Sequence, residues 1–322
     1  MSDEPTKRYD VVVVGGGAAG LNGALMLARS RRTSLVIDAG SPRNAPAEGV
    51  HGLLGHDGIP PSELLERGRA EAIRYGSQLM SGEVSSARRL GEDFVLELRD
   101  GSSVKARRLL VTTGLVDELP EVPGVQERWG RDVLHCPYCH GWEARDKAIG
   151  VLASAPNSTH QALLFRQLSE DVTYFGHTMP PDKKEAEQLE ARGIQLVKGE
   201  VASLEIVHDR LSAVRLRDGR LIKRDFFVVS PRMVARVSFL AGLGLKPEEH
   251  PSGLGEYIKV DPSGLTDVPG VWAAGNVTDP AAQVGMSAAA GAWAAIRINA
   301  DLVEEETHNA IAEQRRVASR AR

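Results

Sequence analysis

The sequence predicts an α/β protein with two Rossmann-like domains, each a three-layer ββα arrangement of helices, a parallel sheet and a smaller sheet. Three units of buried strand, turn and helix favour this fold, and they lie at the start, in the middle and near the end of the chain. The length of 322 residues is typical of about two domains. A hydrophobic content of 42% is enough to build two buried cores.

The first unit carries a glycine fingerprint for a dinucleotide. The strand 11–14 runs into G-x-G-x-x-G on Gly15, Gly17 and Gly20, and a helix follows. The first glycine permits a tight turn, the second lets backbone approach a pyrophosphate, and the third lets the helix pack close to the strand. Asp38 ends the next strand, where it can accept a hydrogen bond from a ribose hydroxyl. The alternative is a glycine turn that serves the fold alone.

The two cysteines of the chain, Cys136 and Cys139, form one C-x-x-C pair. In the first turn of a helix this spacing lets the sulfurs form a disulfide, and the helix N-terminus lowers a thiol pKa. A structural zinc site would need four ligands, which only His135 and His140 could complete. The second alternative is an inert buried pair. We predict a redox dithiol and no metal site.

Composition and charge exclude several classes of function. The formal net charge of −4 comes from interspersed acidic and basic residues, so no nucleic-acid partner is expected. The basic end, "EQRRVASRAR", is typical of a solvated helix end. No apolar run approaches the roughly 20 residues that span a bilayer, and the start has no signal-peptide pattern. A single cysteine pair fits a reducing compartment, so we expect a cytoplasmic protein.

Two further segments resemble parts of the thioredoxin reductase-like flavoproteins. The segment "GLTDVPGVWAAGNVTDPAAQVGMSAAAGAWAA" has a short strand, a polar turn and a helix of small residues, like the second flavin motif of that family. The segment "LLVTTGLVDELPEVPG" resembles the family's connection out of the flavin domain. The family usually has an acid at the position of Asn276, but an amide can still hydrogen-bond a ribityl chain. The small residues have an alternative explanation, which is close helix packing without a ligand.

The resemblance implies FAD as the cofactor, a homodimer, and a discontinuous flavin domain. That domain would comprise residues 1–116 and 243–322. The insert, residues 117–242, would be a degenerate NADPH-type domain that carries the dithiol. The residues implied to contact FAD are Gly15, Gly17, Ala18, Ala19, Gly20, Asp38, Thr113, Gly114, Gly275, Asn276, Gln283 and Val284.

The insert lacks the nucleotide motifs that the reductases of this family carry. Its strand "KAIGVLA" runs into "SAPN", residues 154–157, where a glycine turn is expected. Pro156 has no N–H to offer, and Cβ atoms stand where backbone would approach a pyrophosphate. The next strand ends in "GHT" without an arginine pair. Lys183 and Lys184 follow beside acids, which is typical of a solvated helix face.

The segment "CPYCHGWE" beside this missing loop resembles the FAD-dependent dithiol oxidases that close the disulfides of natural products of the gliotoxin, holomycin and romidepsin type. That resemblance implies that Cys136 exchanges with a small dithiol substrate and Cys139 lies against the flavin. Electrons would then pass to dioxygen, with release of hydrogen peroxide. His140 stands where the bacterial reductases have an aspartate, and an imidazole suits acid–base work near neutral pH.

Three alternatives remain open at the level of sequence. One is an NAD(P)H-dependent disulfide reductase with an unorthodox nucleotide site. Another is an enzyme that exchanges electrons with ferredoxin or a different protein, and the third is a flavin-dependent sensor without enzymatic activity. Tyr138 and Trp142 could line the opening for a small substrate, although a tryptophan after a turn is more often part of a core.

Overall fold

The computed structural model describes residues 7–320, which form nineteen strands and seven α-helices. The strands are β1 (Arg8–Val14), β2 (Ser34–Asp38), β3 (Gln78–Ser81), β4 (Val84–Leu90), β5 (Asp93–Leu98), β6 (Ser103–Val111), β7 (Leu115–Glu118), β8 (Val133–Leu134), β9 (Ile149–Leu152), β10 (Val172–Phe175), β11 (Gln195–Val197), β12 (Val201–Val207), β13 (Arg210–Leu216), β14 (Leu221–Lys223), β15 (Phe226–Val228), β16 (Arg232–Ala235), β17 (Glu248–Glu249), β18 (Glu256–Tyr257) and β19 (Val271–Ala273). The helices are α1 (Ala18–Arg29), α2 (Pro61–Arg74), α3 (Val125–Arg128), α4 (Pro137–His140), α5 (Ser158–Phe165), α6 (Lys183–Ala191) and α7 (Val284–Arg320). Two 3₁₀ helices span Ser238–Leu243 and Gly275–Val277.

The first sheet has seven strands and is buried on both faces. Its order is β3-β2-β1-β6-β5-β4, and β19 pairs with the second half of β6. Val11 and Val13 pack into the core beneath α1 and α7, whereas Val12 and Val14 pack into the core on the opposite face. Side chains alternate along a strand, so burial on both faces requires the continuous valine run seen in the sequence.

The second sheet is built entirely from residues 133–228. Its five strands run parallel in the order β11-β10-β9-β15-β8. The helix α5 covers one face, and the antiparallel sheet of β12, β13 and β14 covers the other. Each of the two large sheets therefore lies between helices and further strands. The predicted α/β class with two Rossmann-like domains is confirmed.

The chain passes between the two large sheets at a two-stranded antiparallel ribbon of β7 and β16. Leu115 pairs with Ala235, and Glu118 pairs with Arg232. The ribbon therefore holds the outgoing and returning segments side by side. The domain boundaries at 116/117 and 242/243 stay a prediction, and this crossing point is close to both of them.

The helices α1 and α7 cross at backbone distance. A Cβ atom added at Gly291 would lie 1.9 Å from the carbonyl oxygen of Ala19, and one added at Gly23 would lie 3.1 Å from the carbonyl oxygen of Gly291. The first contact is far inside van der Waals distance, so only hydrogen fits at Gly291, and the second leaves little room at Gly23. The small residues of α7 are therefore explained at this crossing by helix packing.

The C-terminal half of α7 leaves the body of the protein and is tied to it by ion pairs. Arg107 bonds Glu305 (2.6 Å) and Glu306 (2.8 Å), and Arg108 bonds Asp301 and Glu305. The basic end of the chain is helical up to Arg320, as expected for a solvated helix end, and its last two residues lie outside the described residues. Within residues 7–320, no helix has both the length and the apolar character needed to cross a bilayer.

Replacing Gly291 with alanine tests the helix crossing. The added Cβ forces α7 away from Ala19, and we expect a loss of about 1–3 kcal/mol of stability despite the higher helix propensity of alanine. Thermal unfolding of the FAD-loaded protein measures the change. The control is Gly285→Ala in the same helix, where the new Cβ makes only an ordinary contact of 3.5 Å with Leu53. Equal melting temperatures of the two variants would contradict the packing argument.

Candidate active site

A cavity of about 690 Å³ lies between the first sheet and the dithiol segment. Four separated parts of the chain contribute to its wall: the glycine turn, the segment after β6, the dithiol, and the start of α7. Among the sequence-predicted site residues, those that line it are Gly15, Gly17, Ala18, Ala19, Asp38, Thr113, Gly114, Cys136, Cys139, His140, Asn276, Gln283 and Val284.

Two predicted residues, Gly20 and Gly275, are absent from the cavity lining and contact its wall from behind. A Cβ atom at Gly20 would lie 1.9 Å from the carbonyl oxygen of Gly15, which agrees with the packing role expected for the third glycine. Gly275 has φ +82°, and a Cβ atom there would lie 2.9 Å from Ala19 Cβ. Both glycines let the walls of the cavity meet.

The start of α1 is shaped to receive an anion. Gly17 is the N-cap residue, no side chain caps the helix, and its first turn contains no acid. The first N–H groups of the helix are thus left for a ligand, and the space above Gly17 is open. The hydroxyl of Thr113 is buried without a hydrogen-bond partner in the described structure, which leaves it for a bound group. These residues fit FAD, with its pyrophosphate at the helix start.

Asp38 lies at the end of β2 beside this turn. Its carboxylate accepts a hydrogen bond from the Gly40 N–H (3.2 Å) and lies 3.4 Å from Arg69 Nη2. A side recess of about 430 Å³ adjoins the carboxylate, between Arg69 and the segment Gly82–Glu83. The acid is thus held in place with space in front of it, as a hydrogen bond to a ribose requires.

Asn276 uses its amide nitrogen to hold the turn before α7. Nδ2 donates to the carbonyl oxygens of Ala282 (2.8 Å), Asp279 (3.1 Å) and Pro280 (3.4 Å). A carboxylate at this position could only accept, and it would face three carbonyl oxygens. A contact of Asn276 with the ribityl chain stays a prediction. In the structure its amide fixes the turn that leads to Gln283.

The dithiol lies at the start of the short helix α4. Cys136 is the N-cap residue, Pro137 follows at the first helical position, and the Cys139 N–H donates to Cys136 Sγ (3.2 Å). The two cysteines are disulfide-bonded. A Cβ atom at Gly141 would lie 2.1 Å from the Pro137 carbonyl oxygen and 2.4 Å from Leu168 Cδ1, so glycine is required directly after the helix. Across residues 7–320, no group of three His, Cys, Asp or Glu side chains is arranged to hold a metal ion.

His140 ends α4 in a half-buried position in the cavity wall. Its Nε2 atom is buried and has no hydrogen-bond partner among the described residues. Burial lowers the pKa of His140, because removal from water penalises the imidazolium, and the charge of Glu143 acts in the opposite direction. Burial therefore favours the neutral ring. A neutral imidazole with a free nitrogen can accept a proton in the cavity.

His135 also borders the cavity but is held by the insert. Its Nδ1 atom lies 3.4 Å from the Val229 carbonyl oxygen, and Gln161 Nε2 donates to the His135 carbonyl oxygen at 2.6 Å. Burial lowers its pKa as well. These contacts support the interpretation of His135 as a structural residue and of His140 as the candidate base.

Several charged residues of the cavity wall were not predicted from the sequence. Arg43 and Asp117 form a two-pronged ion pair with distances of 2.8 and 2.6 Å, and Arg236 Nη1 donates to the Ser41 carbonyl oxygen at 2.9 Å. His51 lies close to the dithiol segment. The partners come from loops far apart in sequence, so no local motif marks them. A histidine in the glycine-rich stretch "HGLLGHDG" is the one signal that was available for His51.

The two aromatic residues of the dithiol segment point outward. Tyr138 is 67% exposed and Trp142 is 66% exposed, and neither lines the cavity. The core alternative for Trp142 is therefore wrong. The guanidinium of Arg145 stacks over its ring at 4.2 Å from the centroid. An interaction of either ring with a substrate stays a prediction.

Comparison with known proteins identifies the family. The sequence profile of the pyridine nucleotide-disulphide oxidoreductases matches residues 9–311. The chain belongs to this family. Its thioredoxin reductase relatives are FAD-binding flavoproteins, and FAD is the cofactor of this chain. The predicted thioredoxin reductase-like flavoprotein is thereby confirmed, in agreement with the fit of the cavity to FAD.

The family members that resemble this chain cover nearly its whole length. HlmI, a solved structure, superposes with a TM-score of 0.92 at 44% identity over 99% of both chains. The thioredoxin reductase tcpT of Claviceps purpurea (strain 20.1) is 31% identical over 83% of this chain and 86% of that protein. The thioredoxin reductase sirT of Leptosphaeria maculans is 29% identical over 90% and 93%.

Replacing Asn276 with aspartate tests the turn before α7. The carboxylate cannot donate to the three carbonyl oxygens, so we expect the turn to loosen and the FAD dissociation constant to rise at least about tenfold. Titration of apoprotein with FAD, followed by flavin fluorescence, measures it. The control is Asn299→Asp, because Asn299 only accepts a bond there, from Arg32, and a carboxylate can replace that acceptor. Unchanged FAD affinity in the Asn276 variant would refute this role.

Proposed function

We propose that this protein is an FAD-dependent dithiol oxidase. It would close an intramolecular disulfide in a small dithiol substrate and pass the electrons through Cys136, Cys139 and FAD to dioxygen, with release of hydrogen peroxide. One observation carries the proposal: the dithiol and the FAD cavity are intact, while the nucleotide loop of the insert is closed by the protein's own side chains. The similarity to HlmI along the whole chain supports it.

The closed loop follows β9, where a pyridine nucleotide would meet the start of α5. The Ser158 hydroxyl accepts the Ala155 N–H (3.1 Å) and the Ser154 N–H (3.3 Å). Ser158 is fully buried. Two backbone donors of this turn are thus already bonded within the protein, and Pro156, which follows them, has no N–H.

Other polar side chains around the loop after β9 are also hydrogen-bonded within the protein. The Ser230 hydroxyl lies 2.9 Å from Asn157 Oδ1 and 3.1 Å from Gln161 Oε1. At the tip of the next strand, His177 Nδ1 accepts the Val201 N–H at 3.1 Å. The side chains of Asn157, Gln161 and His177 are therefore engaged with the fold, whereas the buried Ser154 hydroxyl has no hydrogen-bond partner among the described residues. Lys183 and Lys184 are exposed on α6, as expected from the sequence.

The chemistry of the chain's own residues follows from the cavity. His140 Nε2 accepts the proton of the first substrate thiol, and the resulting thiolate attacks Cys136 Sγ. The Cys136–Cys139 bond breaks, and Cys139 leaves as a thiolate. The second substrate thiol loses its proton to water, and its sulfur attacks the substrate sulfur of the mixed disulfide, which closes the product ring and releases the Cys136 thiolate. The substrate loses two electrons and the cysteine pair gains them. FAD, when bound, supplies the acceptor for that electron pair.

The relatives named thioredoxin reductase support an alternative, in which NADPH or a protein such as ferredoxin supplies electrons to the cysteine pair. We also propose that the protein is a homodimer, as the family resemblance implies. Analytical ultracentrifugation of the FAD-loaded protein tests the dimer independently of the reaction.

Anaerobic reduction distinguishes the oxidase from the reductase. We expect dithiothreitol to bleach the flavin absorbance at about 450 nm within the dead time of manual mixing, because the dithiol reduces the Cys136–Cys139 disulfide by thiolate exchange at Cys136. NADPH should leave the flavin oxidised, since its phosphates meet a closed loop. Admission of oxygen should restore the colour and yield one hydrogen peroxide per disulfide. Rapid bleaching by NADPH, or no bleaching by dithiol, would overturn the proposal.

The pH dependence of dithiol oxidation tests His140. A base works in its deprotonated form, and burial lowers the pKa of His140 below its usual value of 6.5. The acid limb of the rate should therefore have its midpoint below pH 6.5, where the pH drops through that lowered pKa. His140→Gln should cost about 10²–10⁴-fold in rate and remove this acid limb. The control His160→Gln changes an exposed histidine of α5 and should match the unmodified protein. An acid limb that persists in His140→Gln would assign it to another group.

A further inference from the structure

The dithiol segment leaves the second sheet directly after β8. Leu134 pairs with Val228 at the end of this strand, and its carbonyl oxygen accepts the Val229 N–H at 2.9 Å. Pro231, two residues further along, has no N–H with which to extend the pairing. The backbone pairing therefore ends before the first cysteine.

A buried side chain of α5 binds the next peptide unit. Gln161 is 3% exposed, and its Nε2 atom donates to the His135 carbonyl oxygen at 2.6 Å. This oxygen belongs to the peptide unit that leads into Cys136. The carbonyl oxygen of Cys136 itself accepts the His140 N–H at 3.2 Å within the dithiol turn. Gln161 thus connects the dithiol segment to the insert at the point where the backbone pairing has ended.

The orientation of the Gln161 amide follows from the atoms around it. Its Nε2 atom also lies 3.4 Å from the Val229 carbonyl oxygen, so two carbonyl oxygens face this nitrogen. Its Oε1 atom lies 3.1 Å from the buried Ser230 hydroxyl, which can donate to it. A reversed amide would place an acceptor against two acceptors. The amide nitrogen is therefore the end that faces His135.

The conformation of Cys136 matters because its sulfur accepts a hydrogen bond from the backbone. The Cys139 N–H donates to Cys136 Sγ at 3.2 Å, with Cys136 in an extended N-cap conformation of φ −98° and ψ 120°. A rotation of the peptide unit that leads into Cys136 changes this φ and moves the sulfur. A hydrogen bond to a thiolate stabilises the charged form. Once the disulfide has opened, the Cys139 N–H therefore favours the Cys136 thiolate.

We propose that Gln161 is a positioning residue for the dithiol, which keeps Cys136 Sγ on the Cys139 N–H by holding the His135 carbonyl group. The inference rests on the proposed dithiol oxidase function, in which Cys136 exchanges with the substrate. In ring closure, the bond between Cys136 Sγ and the substrate sulfur breaks, the disulfide bond of the product forms, and the electron pair of the broken bond stays on Cys136 Sγ. The hydrogen bond from Cys139 makes Cys136 a better leaving group in this step.

Gln161 acts through the backbone and not through the cavity. Its side chain is absent from the cavity lining described above, and its contacts are with the dithiol segment and with the end of the strand β15. The helix α5, whose start would meet a pyridine nucleotide in a reductase, thus serves the dithiol.

The first experiment measures the reactivity of each cysteine in the reduced, FAD-loaded protein without oxygen. Gln161→Met has neither donor nor acceptor, and Gln161→Glu keeps an acceptor for Ser230 but its carboxylate has no donor for His135. We expect iodoacetamide to alkylate Cys136 about five- to tenfold more slowly in both variants, because its thiolate loses the hydrogen bond from the backbone. The rate at Cys139 should stay within about twofold of the unmodified protein. Tandem mass spectrometry assigns the alkylated cysteine.

The matched control is Thr159→Val on the same helix. Thr159 is also buried, and its hydroxyl lies 3.4 Å from Tyr174 Oη. The variant loses a buried hydroxyl and leaves Gln161 in place, so both alkylation rates should match those of the unmodified protein. Unchanged alkylation of Cys136 in the Gln161 variants would overturn the inference. Equal slowing at both cysteines, or the same slowing in the control, would reveal a structural role and overturn it as well.

A second experiment follows single turnovers with dithiothreitol by acid-quenched mass spectrometry. Ring closure should slow about three- to tenfold in both Gln161 variants, because a thiol of higher pKa leaves more slowly, and the protein–dithiothreitol mixed disulfide should accumulate. Capture of 2-mercaptoethanol, in which Cys139 is the leaving group, should stay within about twofold. Unchanged ring closure would contradict the inference. If the unmodified protein fails to oxidise dithiothreitol while the alkylation rates change as expected, Gln161 positions Cys136 and the proposed function is wrong.

Discussion

The contact between the glycine turn and the helix that follows it is the constraint on which the rest of the site depends. Gly20 approaches the carbonyl of Gly15 so closely that no side chain fits between them, and α7 then packs on α1 at the same backbone distance. This sequence of close contacts brings the start of α1, the turn at Asn276 and the end of β6 to one edge of the sheet. The cavity lies between these three segments, the dithiol segment and further loops of the chain.

The strand–turn–helix units that begin with β1 and β9 differ at the helix start. At α1 the N-cap is a glycine, no side chain accepts the first N–H groups, and the space above is open. At α5 the buried hydroxyl of Ser158 accepts the two N–H groups of the preceding turn. A helix start can bind an external anion only when its donors are free. The two units therefore differ in whether a polar side chain already occupies backbone donors beside the helix start.

Hydrophobic periodicity and motif spacing predicted the structural features that are formed by residues close together in the sequence. The valine run of β1, the glycine turn and the C-x-x-C helix start are local patterns, and the structure contains each of them. The pair of Arg43 with Asp117 and the approach of His51 to Glu143 could not be predicted, because each joins loops that only the folded chain brings together. The second role of Asn276 was missed for another reason: its amide serves the backbone of its own turn, which a comparison with the usual acid does not reveal.

The position of β8 has a consequence for how the insert can change. β8 is the edge strand of the second sheet, where it pairs with β15, and the cysteines begin two residues after it ends. The position of the two cysteines thus depends on the second sheet and not on the loop 154–157. Substitutions at 154–157 can abolish a cofactor site without moving a sulfur atom, whereas a register shift in β15 would displace both. The loop that would bind an electron donor and the strand that positions the dithiol can therefore change independently, so a change of redox partner needs no new fold.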